Sequence, residues 1–182
     1  MIKIDSDIFL FKNIIDDELI EKLLSIPNAN GRVELYSTNM KAFYDINFLW
    51  KFKIEKQILD DYLTINKIEH TINADYLKSM VMAKWKAMYI LHYNKDNSVN
   101  SEKNVHFDLC GFTFIGCLNN NYDGGDLCFP RQNINYHLER GDVIVYPGGL
   151  THPHYVSPIT NGIRNVIVGQ TMNFDQKNEI NY

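Results

Sequence analysis

From residue 84 onward the chain consists of short apolar runs separated by turn-forming residues, and this pattern constrains the fold most. Apolar and polar side chains alternate over 84–93, which is the period of a half-buried β-strand. Further short runs follow at 112–115, 127–129, 134–136, 143–146 and 166–168. Strands that are this short and closely spaced, with no helix between them, favour an antiparallel sandwich or barrel.

The first eighty residues have a helical period instead. Three carboxylates at 16–18 lie where a helix N-terminus favours them, and apolar residues follow at helical spacing over 19–24. A second apolar stripe lies within 50–63. We therefore predict an α+β fold in a single domain spanning 1–182, in which a mainly helical segment at 1–83 buttresses a β core at 84–173.

Charge and composition argue against several classes of protein. The 18 basic and 22 acidic residues give a net charge of −4 without a basic block, which argues against a nucleic-acid binder. The longest unbroken apolar run, at 87–91, is too short to cross a membrane, and the N-terminus does not resemble a signal peptide. Cys110, Cys117 and Cys128 are odd in number and lack CxxC spacing, so we expect neither disulfides nor a thiolate zinc site. We expect a cytoplasmic protein that does not contact membranes.

The histidines supply the candidate chemistry. His106 and Asp108 point to the same side of a strand, where an imidazole and a carboxylate can bind one metal ion. His152 or His154 supplies a third ligand from a different strand. Two histidines and one carboxylate on one face of a metal form the facial triad of non-haem Fe(II) oxygenases, which leaves positions open for a 2-oxo acid and dioxygen. Arg164 follows on the last predicted strand and fits the distal carboxylate of 2-oxoglutarate.

Several motifs match one known family in order and spacing. They are His106-x-Asp108, Phe112-Thr113, Leu118-Asn119, Tyr122-x-Gly124-Gly125-Asp126, Phe129, Gly141-Asp142, Pro147-Gly148 and His154-x-x-x-Pro158-x-x-x-Gly162-x-Arg164. Over 105–171 the chain thus resembles the prolyl 4-hydroxylase-type Fe(II)/2-oxoglutarate dioxygenases. The segment from Pro147 to Arg164 is especially similar to the procollagen lysyl hydroxylase branch.

The resemblance implies a double-stranded β-helix, also called a distorted jelly roll, that holds iron in one open end. It implies hydroxylation of an unactivated C–H bond, with dioxygen and 2-oxoglutarate as cosubstrates and ascorbate as reductant. By position, His106, Asp108 and His154 would hold the iron, and Arg164 would hold the C5 carboxylate of 2-oxoglutarate.

Three further residues have weaker assignments. Thr113 falls where the family often places a hydroxyl against the cosubstrate carboxylate, although a β-branched residue also simply suits a strand. Tyr93 falls where a tyrosine often approaches the cosubstrate or metal, although an aromatic residue also suits the core. The ten-residue spacing to Arg164 favours His154 over His152 as ligand, which leaves His152 beside the metal centre or the substrate.

Departures from the family's motifs narrow the range of expected reactions and substrates. Collagen-type prolyl hydroxylases typically carry lysine where this chain has Arg164, and nucleic-acid demethylases carry a second arginine where it has Gln170. Halogenases lack the triad carboxylate, which is present here as Asp108. The long polar loop at 94–104 is expected to form a lid that orders with substrate, and the alternative is a plain solvent loop.

Three functional interpretations stay open. The first is hydroxylation of a prolyl or lysyl residue in a polypeptide. The second is the same chemistry on a free amino acid or another small molecule. The third is an inactive metal-binding β-barrel that serves as an interaction module.

Overall fold

The computed structural model describes residues 2–5, 7–27, 31–35, 39–57, 85–96 and 104–172. This part of the chain is mostly β-sheet, with two α-helices and a π-helical segment. The elements are β1 (Ile2–Asp5), β2 (Ile8–Phe11), α1 (Asp17–Leu24), β3 (Arg32–Glu34), α2 (Met40–Leu49), the π-helix (Trp50–Glu55), β4 (Trp85–Asn94), β5 (Phe112–Cys117), β6 (Tyr122–Gly124), β7 (Leu127–Phe129), β8 (Ile134–Tyr136), β9 (Val143–Pro147), β10 (Tyr155–Val156) and β11 (Ile159–Thr171).

The strands form two antiparallel sheets. The larger sheet has the order β1-β2-β9-β5-β11-β4-β3, and the smaller has the order β10-β7-β8. Strand β11 organises the larger sheet, because its first residues pair with β6 and its later residues lie between β4 and β5. Gly162 permits the close approach to β6, since its φ is +75° and a Cβ there would lie 2.1 Å from the Asn121 carbonyl oxygen. This architecture is consistent with the expected jelly-roll-like fold.

The period of two along the central strands explains the two apolar cores. On β5 and β9, Phe114 and Val145 face a core shared with the helices. Their neighbours Ile115, Ile144 and Tyr146 face the second core, which is shared with the smaller sheet. Because successive side chains on a strand point to opposite faces, each central strand contributes to both cores. The second core surrounds the candidate site.

The helices pack on one face of the larger sheet, as predicted. In α1, the Asp16 carboxylate accepts a hydrogen bond from the Leu19 N–H and caps the helix, which buries Ile20 and Leu23. After α2, Trp50 stacks on Phe114 of β5 with ring centroids 5.6 Å apart. These contacts place the helices opposite the candidate site.

The N-terminal segment also contains strands that the sequence did not predict. Helical residues outnumber strand residues in the described part of 1–83, but β1, β2 and β3 belong to the larger sheet. Strand β2 pairs with β9, a partner that local periodicity cannot reveal. Helix α2 begins at Met40, where Asn39 caps it, ten residues before the predicted stripe at 50–63. The part of that stripe beyond residue 57 lies outside the described residues.

Two further predictions depend on what the structure describes. Most of the loop at 94–104 lies outside the described residues, so its role as a lid stays a prediction. Among the helices that the structure describes, none is long and apolar enough to cross a membrane.

Candidate metal centre and cosubstrate cavity

Three of the predicted ligands come together in the structure. One potential ligand atom from each of His106, Asp108 and His154 lies within 4.8 Å of the other two. The two histidines come from distant parts of the chain and form an isolated antiparallel bridge. The His106 N–H donates to the His154 carbonyl at 3.0 Å, and the His154 N–H donates to the His106 carbonyl at 2.7 Å. The backbone thus fixes the relative position of the two rings.

Local hydrogen bonds also fix which ring nitrogen of each histidine can bind a metal. His106 Nδ1 lies 2.9 Å from the Asn104 carbonyl oxygen, and His154 Nδ1 lies 3.0 Å from the His152 carbonyl oxygen. A carbonyl only accepts, so each Nδ1 carries the proton and each Nε2 keeps a lone pair. Burial lowers the pKa of His154, although Asp108 opposes this shift, and the neutral ligating form is favoured.

The carboxylate is oriented by a buried hydroxyl on the neighbouring strand. Thr113 Oγ1 donates to Asp108 Oδ2 at 2.5 Å, and this oxygen lies 3.7 Å from His154 Nε2. The hydroxyl assigned to the cosubstrate from sequence therefore contacts a candidate metal ligand in the structure. The thiol of Cys110 lies 3.2 Å from Thr113 Oγ1, and burial raises its pKa to about 11, so it stays protonated at neutral pH.

One polar residue of this centre was missed in the sequence. Tyr146 is fully buried on β9, and its hydroxyl lies 3.2 Å from His154 Nε2. The two rings meet edge to face with centroids 4.9 Å apart. Tyr146 pairs with Thr113 across β5 and β9, and this register, which the sequence does not reveal, places it beside the ligands.

The candidate ligands line a cavity of about 100 Å³ that also contains Arg164. Arg164 lies on β11 six residues before Gln170, which pairs with Thr113, so the arginine and the ligand cluster occupy different positions along the cavity. Tyr93 of β4 pairs with Arg164 and also lines the cavity, and its approach to the cosubstrate stays a prediction. Much of the remaining wall is apolar, namely Leu91, Ile115, Leu127, Val156, Val166 and Val168.

Arg164 is buried without an acidic partner among the residues that the structure describes. Its side chain is 1% exposed, and its Nε has no hydrogen-bond partner. Burial raises the pKa of Tyr122, and the charge of Arg164 opposes this shift. Gly125 makes room for this arrangement, because a Cβ at that position would lie 2.8 Å from Arg164 Cδ. A buried guanidinium with no acidic partner among the described residues is suited to bind an anion.

Comparison with known proteins agrees with this geometry at the level of the fold. No protein-family model matches the sequence, and a search of curated proteins finds no match. A truncated form of the viral collagen prolyl hydroxylase vCPH from Paramecium Bursaria Chlorella virus-1 is similar in structure, with a TM-score of 0.59 and 10% identity. The alignment covers 92% of this chain and 91% of that one. The chain shares the fold of this viral protein.

A second structure of the same viral enzyme, its complex with 2OG, matches with a TM-score of 0.58 and 10% identity, over 92% of this chain and 97% of that one. The resemblance inferred from the sequence motifs is thereby confirmed for the fold. NgTET1 in complex with 5mC DNA also matches, with a TM-score of 0.51 and 15% identity, over 94% of this chain and 74% of that one. Since this neighbour was solved with DNA, the fold does not support our prediction that nucleic acid is excluded as a partner.

Within the shared fold, His152 is separated from the ligand cluster. It is 4% exposed, and its Nδ1 lies 2.9 Å from the hydroxyl of Thr151. It does not belong to the group of potential ligands, and burial lowers its pKa. Its backbone carbonyl nevertheless accepts the hydrogen bond from His154 Nδ1, so His152 contacts the centre through its main chain.

Proposed function

We propose that the protein is an Fe(II)- and 2-oxoglutarate-dependent dioxygenase that hydroxylates a C–H bond. One observation carries the proposal. A single cavity combines a cluster of two histidines and one aspartate with the buried Arg164, which has no acidic partner in the described part of the chain. The proposal includes the double-stranded β-helix and a single catalytic domain spanning 1–182.

The chemistry of the donor set fits the metal. His106 and His154 would each bind Fe(II) through Nε2, since both Nδ1 atoms donate to backbone carbonyls. Asp108 would supply the carboxylate, with Thr113 holding one of its oxygens. Bound Fe(II) would supply the dioxygen chemistry that couples decarboxylation of 2-oxoglutarate to hydroxylation, and ascorbate would keep the iron reduced.

The buried arginine fits the cosubstrate. 2-Oxoglutarate carries a second carboxylate beyond the 2-oxo acid group, and the fork of Arg164 can bind it with two charge-assisted hydrogen bonds. Tyr122 and Arg164 both lie next to Gly125, and Tyr93, which pairs with Arg164, lines the same cavity. The apolar wall limits water, which strengthens this ion pair.

For the substrate, we propose a prolyl or lysyl residue of a polypeptide. The motifs from Pro147 to Arg164 are similar to those of the lysyl hydroxylase branch, and vCPH, which shares the fold, is a collagen prolyl hydroxylase. The alternative is the same reaction on a free amino acid or another small molecule, and a non-enzymatic alternative is a metal-binding interaction module. We also propose that the protein acts in the cytoplasm.

An anaerobic titration tests the proposal. Fe(II) followed by 2-oxoglutarate should produce the visible metal-to-ligand absorption band of the chelated 2-oxo acid. The Asp108→Ala variant is the control and should give no band. Oxygen is then admitted with panels of peptides and small molecules, and succinate release above the substrate-free rate identifies the substrate class. Absence of the band from the wild-type protein would exclude the proposed dioxygenase.

A further inference from the structure

The hydroxyl of Tyr146 contacts the nitrogen atom that a metal ion needs. His154 has two ring nitrogens, and Nδ1 is already committed to the His152 carbonyl oxygen. The remaining nitrogen, Nε2, lies 3.2 Å from the Tyr146 hydroxyl. Because Nδ1 carries the proton, Nε2 can only accept, and the tyrosine must be the donor.

A hydrogen bond at this nitrogen and a metal ion at the same nitrogen exclude each other. A neutral imidazole has one lone pair at Nε2, which either accepts a proton donor or binds a metal. The contact between Thr113 and Asp108 differs in this respect. A carboxylate has about four lone-pair sites on two oxygens, so Thr113 can keep its hydrogen bond while Asp108 binds a metal.

We propose that Tyr146 is a placeholder for the metal ion. In the metal-free protein its hydroxyl holds the His154 ring in the ligating orientation, and a metal must displace that hydroxyl in order to bind. Tyr146 thus lowers metal affinity, whereas Thr113 raises it by orienting Asp108. The inference rests on the proposed function only in requiring that a divalent metal binds at His106, Asp108 and His154.

The surroundings allow the displaced hydroxyl to find another partner. Thr113 lies opposite Tyr146 in the pairing of β5 with β9, and the two hydroxyls are within hydrogen-bond reach. Tyr146 packs edge to face against His154 and Phe129, so its ring has little freedom. Since the phenolic oxygen is fixed to that ring, metal binding requires a small shift of the ring together with the change of hydrogen-bond partner.

The Tyr146→Phe variant isolates the hydroxyl, because it keeps the ring packing. We expect it to bind Zn(II) about 2- to 12-fold more tightly in a calorimetric titration. The variant has no hydrogen bond to His154 Nε2, so Zn(II) does not have to break one. Thr113→Val should change affinity in the opposite direction, by about 10- to 100-fold, because Asp108 loses its orienting donor. Tyr136→Phe, on β8 and outside the cavity, is the matched control and should bind Zn(II) like the wild type.

Two further readouts report the displacement itself. Zn(II) binding to the wild-type protein should shift the near-ultraviolet absorbance of one tyrosine, and this difference spectrum should be missing from Tyr146→Phe. The metal-free variant should also melt at a lower temperature than the wild type, and saturating Zn(II) should narrow that gap. Neither effect is expected of a purely structural core tyrosine.

The outcomes separate this inference from the proposed function. If the wild type does not bind Zn(II), Fe(II) or Mn(II), the proposed metal centre is wrong. If it binds Zn(II) but Tyr146→Phe binds equally or more weakly, the placeholder role is wrong and the metal centre stands. Should Tyr146→Phe fail to fold, the wild type labelled with ¹³C-tyrosine decides, since an unchanged set of tyrosine Cζ resonances on Zn(II) addition would also overturn the inference.

Discussion

His106 and His154 are joined by two reciprocal backbone hydrogen bonds, which bring their rings to 4.6 Å centroid to centroid. Neither residue lies in a regular strand, so this bridge is an isolated pairing of two loop segments. The hydrogen bonds of both Nδ1 atoms to carbonyl oxygens then orient the rings. The ligand set is therefore arranged by the polypeptide itself, which is the preorganisation that a metal centre requires.

The first prediction distinguishes the two neighbouring histidines. His154→Ala should weaken Mn(II) binding by more than about 100-fold, since it removes a ligand and not an outer contact. His152→Ala is the matched control and should stay within about tenfold of wild type, because only its main-chain carbonyl contacts the centre. Isothermal titration with Mn(II) measures both. Loss of binding in His152→Ala with retention in His154→Ala would reverse the assignment.

The second prediction concerns Arg164 and the cosubstrate. Arg164→Ala should weaken 2-oxoglutarate binding to the Fe(II) form by roughly 2–5 kcal/mol, or about 30- to a few thousand-fold, because the ligand carboxylate loses its partner. Arg164→Lys should retain part of the affinity, since the charge remains but the bidentate geometry is lost.

Anaerobic titration followed by the absorption band measures these affinities. Iron binding should be nearly unchanged in both Arg164 variants, and Arg131→Ala, on the exposed surface, should bind 2-oxoglutarate like the wild type. Wild-type affinity in Arg164→Ala would show that the carboxylate binds elsewhere.

The third prediction tests the space beside the arginine. Gly125 has a φ of +71°, and an added Cβ would press on Arg164 Cδ at 2.8 Å. Gly125→Ala should therefore lower the free energy of unfolding by about 1–3 kcal/mol and weaken 2-oxoglutarate binding. Gly149→Ala is the control, since its Cβ would meet nothing within 4 Å, and it should change stability by about 0.5 kcal/mol or less. Chemical denaturation measures the stability, and the 2-oxoglutarate titration measures the affinity. If both variants had the same stability and affinity, the close packing of Gly125 against Arg164 would be contradicted.

The fourth prediction is a pH dependence of stability in the metal-free protein. Burial lowers the pKa of both His152 and His154, so the unfolded chain binds protons at these sites more readily than the folded protein. The free energy of unfolding should be fully retained above about pH 6.5, the ordinary histidine value. It should decrease as the pH falls from there through the lowered folded pKa values.

Urea denaturation of metal-free protein between pH 8 and 5 measures this dependence. His154→Gln should reduce its slope, because one of the two titrating groups is removed, while His137→Gln, at a half-exposed position on the surface, is the comparison. A free energy of unfolding that rises on acidification from pH 7 to 5 would contradict the lowered pKa values of His152 and His154.

The local pattern of the sequence was sufficient for the central β core. Alternation over 84–93 predicted β4, and the short apolar runs from 112 to 146 predicted β5, β7, β8 and β9. The sequence of β5 and β9 is almost continuously apolar because each of these strands has both faces buried. The sequence also placed His106 and Asp108 together, but on a strand; in the structure 106–108 is not a strand, and an isolated bridge to His154 positions this segment. The motif spacing likewise indicated the fold that the structural comparison confirms.

The tertiary structure decided everything that depends on pairing between distant segments. Strands β1, β2 and β3 gain their role from partners far along the chain, and no local period records those partners. The same holds for the site, where the bridge to His106 positions His154 and the register of β5 with β9 places Tyr146 opposite Thr113. Periodicity is a property of neighbouring residues, whereas register and burial arise only when separate strands pack. The burial of Arg164, which has no acidic partner among the described residues, is therefore a property of the folded chain and could not be predicted from its neighbours in sequence.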